Sequence, residues 1–98
     1  MTDEHDDYKF SVTIHTDDLP LVYCLRGLSV RCQETGNSKI PHGGTKDPDW
    51  KRHGHRVTFH FSGPYYRDNF VHEIERLFPQ GLWEKIGASD NDPAKKQS

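Results

Sequence analysis

The stretch DDLPLVYCLRGLSVRCQET, residues 17–35, decides how many strands this chain can have. Asp17 or Asp18 can accept the first free amides of a helix, and Pro20 suits its first turn. If that helix ran unbroken to Gln33, Leu21, Cys24, Leu25, Leu28 and Cys32 would share one side. Gly27 argues for an earlier stop. Beyond it Leu28, Val30 and Cys32 alternate with Ser29, Arg31 and Gln33, and Val30, out of phase on a long helix, fits this two-residue period. The alternation therefore predicts a short helix to Arg26 and a strand over 28–33, with both cysteines facing inward. A continuous helix would have to find its extra strand around 38–42, where Pro41 interrupts and only Ile40 offers an apolar anchor.

The flanking segments are easier to read. Tyr8, Phe10, Val12 and Ile14 alternate with Lys9, Ser11, Thr13 and His15, the pattern of a strand over 8–16 with one buried face. Residues 56–62 repeat it, with Val57, Phe59 and Phe61 on one side and Arg56, Thr58 and His60 on the other. Ser62, Gly63 and Pro64 then open an amphipathic helix over 64–78, whose apolar arc holds Tyr66, Phe70, Val71, Ile74, Leu77 and Phe78. Pro79 and Gly81 end it, and residues 82–87 have the composition of a last short strand.

In order, these elements give a βαββαβ chain. Its expected architecture is α+β and ferredoxin-like: a four-stranded antiparallel sheet, two helices on one face, and a long loop between the second and third strands. That arrangement hosts many unrelated activities, so function has to be argued from a site. The expected organisation is one domain over residues 8–88, between an acidic tail at 1–7 and a polar tail at 89–98, neither able to bury enough surface to order itself.

Composition narrows the options. The chain has 98 residues with 32% apolar side chains, which excludes a two-domain enzyme. No apolar run approaches the roughly 18 to 20 residues that span a bilayer, and the acidic start lacks a secretory pattern, so a cytoplasmic protein with reduced Cys24 and Cys32 is expected. Thirteen Lys and Arg against fifteen Asp and Glu leave a net charge of −2, but the balance is uneven along the chain. Between residues 37 and 56, five cations (Lys39, Lys46, Lys51, Arg52 and Arg56) face two carboxylates, Asp47 and Asp49, for a local +3.

That basic segment lies in the connection 34–54, far longer than ordinary hairpin loops, and it carries Trp50, a residue rarely left wholly exposed. Lys46, Trp50, Lys51 and Arg52 are candidates for holding an anionic ligand or single-stranded nucleic acid, with cations on phosphates and an aromatic face on a base. The strand phases add Lys9, His15, Arg31, Arg56 and His60 on the open sheet face. The outward positions on the central strands are Ser11, Thr13, Thr58 and His60 instead of aromatics, which disfavours RNA-recognition-motif chemistry. A solvated sheet face, or one covered by a second subunit, is the simpler account of the same residues.

Seven histidines raise a metal reading, with His53 and His55 on one side of an extended chain and His42 folding back to complete a zinc site. The spacing matches no finger or His-Glu-x-x-His pattern. No nucleophile elbow, phosphate loop or dinucleotide fingerprint is present, so the chain leans away from an enzyme. The leading expectation is a small cytosolic binding or regulatory module that works through a protein partner or as a homodimer, with the 34–54 loop as recognition element and no cofactor. An anion or nucleic-acid binder comes next, then a metal-binding protein or enzyme centred on the loop histidines.

Overall fold

The computed structural model describes residues 4–37 and 39–94. A single helical turn, α1 (Glu4–Asp7), precedes β1 (Phe10–His15); α2 (Leu19–Cys32) and the short α3 (Asp47–Arg52) follow, then β2 (Arg56–Phe61), α4 (Pro64–Leu77), a 3-10 turn (Gln80–Leu82) and β3 (Glu84–Ser89). Among the described residues the sheet has three antiparallel strands in the order β2-β1-β3. It is an α+β fold, but the four-stranded ferredoxin-like sheet is not what forms.

The difference lies in residues 28–33, which continue α2 to Cys32 instead of making a strand. Asp18 caps this helix, accepting the Leu21 amide at 3.1 Å. Gly27 is tolerated because it faces solvent, with no atom within 4 Å of where a Cβ would stand. An exposed helical glycine costs only about 1 kcal/mol relative to alanine. Continuing the helix buries Leu28 and Cys32 beside Leu21, Val22 and Leu25, and a fully buried Leu contributes about 1.5–3 kcal/mol. Val30, which favoured the strand, is left 38% exposed, and Cys24 also faces outward. Arg31 goes with the helix, so it does not stand on the open sheet face.

The helix ends on a buried glutamine. Gln33 accepts the Ser62 amide through Oε1 at 3.0 Å, and its Nε2 donates to the Thr35 carbonyl and the Ser62 hydroxyl. Among the described residues no strand forms around 39–42, and Ser38 lies outside them. Pro41 instead offers its carbonyl to the His60 amide at 3.3 Å, covering the outer edge of β2 with one bond.

Between sheet and helices, Val12 and Ile14 of β1 and Val57, Phe59 and Phe61 of β2 are all buried, as the alternation requires. Phe70 of α4 lies with its ring centroid 4.9 Å from Phe59 and 5.1 Å from Phe61. Trp50 joins this core from α3 and is 6% exposed. The 34–54 connection is therefore anchored by its aromatic residue. Of the expected tails, residues 1–3 and 95–98 lie outside the described residues. Within the rest, Asp92 and Ala94 donate backbone amides to the carbonyls of Lys9 and Tyr8, which lays the segment after β3 along the start of β1.

Thr16, just past β1, collects four bonds. Its amide donates to the His55 carbonyl at 3.1 Å, its carbonyl accepts the Trp50 indole N–H at 2.8 Å, and its hydroxyl donates to the Leu82 carbonyl at 2.6 Å while accepting the Asp18 amide at 3.1 Å.

Two substitutions test this fold. Gly27→Ala should raise stability by about 0.5–1 kcal/mol in urea unfolding, because alanine fits an exposed helix interior and would not fit the end of a helix that turns into a strand. Thr16→Val keeps the shape but strands the Leu82 carbonyl and the Asp18 amide, and should lower stability by about 1–3 kcal/mol.

Candidate functional site

Helices α2 and α4 cover one face of the sheet. On the other, the alternation of β1 and β2 presents three rows of paired side chains: His15 beside Arg56, Thr13 beside Thr58, and Ser11 beside His60. Two segments rise along this face, 39–44 beside β2 and 92–94 over the start of β1. Between them lies an open cleft of about 880 Å³.

Its floor is the hydroxyl pair of Thr13 and Thr58, whose Oγ1 atoms are 2.8 Å apart. Since one hydroxyl donates to the other, the pair retains a proton and lone pairs for a third group. At one end stand Arg56 and, from the last turn of α3 and just beyond, Arg52 and His53. Asp49 holds Arg52 at 3.2 Å. Arg56 makes no ion pair among the described residues. At the other end Asp92 accepts the Ser11 hydroxyl at 3.0 Å and lies 3.4 Å from His60 Nε2. Pro93 gives an exposed apolar wall there, backed by the buried Ile40 and Ala94, with Lys39 on the rim.

That wall is fixed from beneath. Tyr8, Ile40 and Ala94 pack as a small cluster of their own, and the Tyr8 hydroxyl accepts the Asn37 amide at 2.7 Å. Gly36 makes the close approach possible: its φ is +80°, and a Cβ there would stand 2.5 Å from the Tyr8 oxygen.

Ser11, His60 and Asp92 are the residue types of a hydrolytic triad, but the order is wrong for one. The carboxylate receives the serine proton directly, so the imidazole is not positioned as the base for that hydroxyl.

The residues singled out from the sequence are scattered around this cleft. Arg52, Arg56, His53 and His60 line it. Lys46 is the exposed residue before α3, and Lys51 pairs with Asp47 at 3.5 Å. Trp50 is buried, with no face left for a base to stack on. Lys9 stands over the Phe10 ring, and His15 approaches Asp17 at 3.8 Å.

The three loop histidines part company. His42 Nδ1 accepts from Arg26 Nη2 at 3.4 Å, and burial, together with that guanidinium, lowers its pKa. His55, at a φ of +63°, stacks on Trp50 with centroids 4.3 Å apart and reaches Asp17 at 2.8 Å. Only His53 enters the cleft. Among the described residues no group of three or more His, Cys, Asp or Glu is placed to hold a metal ion.

Thr13, Thr58, Asp92 and Ile40 were not singled out. The threonines carry only the generic signal of outward strand positions. Asp92 sits 81 residues from the Ser11 it binds, in a polar segment with no periodicity to read.

The two thiols differ sharply. Cys32 is buried, and burial, reinforced by Glu73, pushes its thiol up to about 11; Cys24 is exposed on α2. Under native conditions at pH 8 a thiol reagent should therefore label Cys24 alone, with Cys32 reacting only after denaturant is added, as mass spectrometry of the labelled peptides would read.

No helix among the described residues is long and apolar enough to cross a membrane. Compared with known proteins, the chain matches no family model, no curated protein and no solved structure.

Proposed function

We propose that this domain is a cytosolic binding module for a small anionic ligand, held in the cleft on the open face of the sheet. The observation that supports it is the Arg52–Arg56–His53 end of the cleft, two guanidiniums and an imidazole against the single carboxylate of Asp49, set beside the Thr13–Thr58 hydroxyl pair. Arginine presents a planar fork of donors that matches a phosphate or carboxylate, and hydroxyl donors beside it complete a shell of hydrogen bonds. A concave site with few convergent polar groups and one apolar wall is also the usual form of a small-molecule pocket.

The same geometry weighs against the 34–54 loop as a variable protein-recognition element. Its one large aromatic is buried in the core and its turn of helix is docked on the sheet. Two unpaired thiols suit a reducing compartment, which is why the cytosol is part of the proposal.

Inorganic phosphate is the simplest probe. At low salt it should shift the amide resonances of Thr13, Arg56 and Thr58 saturably in a two-dimensional NMR titration, and the affinity should fall as salt is added. Arg56→Ala should weaken it by about ten- to a hundredfold, the value of a hydrogen bond to a charged group. Phosphate that produces no saturable shift at these residues would sink the proposal.

A further inference from the structure

The cleft is polarised along the strands, and this narrows what it can accept. Arg56, Thr58 and His60 are successive outward positions of β2, so about 13 Å of strand separates the first from the last. The arginine end is cationic. Four residues along, Asp92 shares its Oδ2 between Ser11 and His60, and no hydrogen bond to its Oδ1 forms among the described residues. The hydroxyls of Thr13 and Thr58 lie between the two ends, and the apolar wall of Pro93, backed by the buried Ile40 and Ala94, stands at the Asp92 end.

A ligand that satisfies all of this carries an anion at one end, hydroxyls in its middle, and at the other end an apolar face whose edge offers N–H donors. That is the chemistry of a nucleoside monophosphate. We infer that the cleft is a nucleoside monophosphate site, with the phosphate on Arg52 and Arg56, the ribose hydroxyls over Thr13 and Thr58, and the base against the exposed Pro93 with its N–H edge on Oδ1 of Asp92.

This rests on the anion-binding reading of the same cleft and adds a specific demand: the base must contribute. A longer polynucleotide is not what the cleft fits. Its arginines gather at one end instead of tracking a backbone, and the segments 39–44 and 92–94 wall its flanks.

The test compares guanosine 5′-monophosphate, ribose 5-phosphate and inorganic phosphate on the same protein by calorimetry and NMR at low salt. The nucleotide should bind about ten- to a hundredfold more tightly than ribose 5-phosphate, the range for a hydrogen bond to a carboxylate. Asp92→Asn, which can keep the Ser11 and His60 contacts, should abolish that advantage while leaving ribose 5-phosphate affinity unchanged. A melting curve like that of the wild type would show the variant folded.

Should ribose 5-phosphate and phosphate bind with the nucleotide no tighter, the nucleoside assignment is overturned and the anion site stands. Should none of the three bind, both fall. Tighter binding of a single-stranded oligonucleotide than of the mononucleotide would also overturn the assignment, in favour of a polynucleotide track.

Discussion

Thr16 is where the parts of this domain are tied to one another. The residue sits just past the central strand, almost wholly buried, and its four hydrogen bonds reach four different segments: the residue before β2, the indole of α3, the turn before β3, and the cap of α2. A buried amide, carbonyl or hydroxyl left without a partner is expensive, so each of those segments is held at the distance its bond dictates. Trp50 is drawn into the core by the same residue. Because Trp50 lies in α3, the arginine and histidine that follow it are brought to the end of the sheet instead of waving in solvent.

The cleft follows from that tie and from the strand alternation. One face of β1 and β2 is spent on the core, and the other is left with hydroxyls, imidazoles and a guanidinium that cannot pack a second layer. Two irregular segments flank it, one pinned by the Pro41 carbonyl on β2 and one by the amides of Asp92 and Ala94 on Lys9 and Tyr8. Neither covers it. A polar sheet face thus becomes a concavity with guanidiniums at one end and the Asp92 carboxylate at the other.

Much of this was legible from the residues. The alternations around 10–15 and 56–61 fix which side chains face the core, and the wheel of residues 64–77 places Phe70 and Ile74 correctly. Residues 28–33 were not legible, because two periods fit them. Leu28 and Cys32 are apolar on both; Val30 favours the strand and Gly27 favours a break. What decides is tertiary: Gly27 faces open solvent, so the break it permits is not taken, and Val30 accepts exposure so that its neighbours can bury. The basic segment was visible as charge, but charge alone could not say that Trp50 turns inward while Arg52 and His53 turn to the cleft. Asp92 was beyond reach, since its partners lie at the far end of the chain.

That separation in sequence bears on how the domain forms. β1 comes first, yet it can pair with nothing until much later chain arrives: Thr13 meets Thr58 across 45 residues, and Ser11 meets Asp92 across 81. The central strand of the sheet is thus the element most dependent on distant partners, and loop closure must precede any gain from its pairing. Such a topology folds slowly for its size. The helices can form locally, whereas the cleft exists only once both ends of the chain have met over β1. Any molecule that fills it would therefore act as a clasp on the last-formed contacts, slowing their opening more than that of the helical layer beneath.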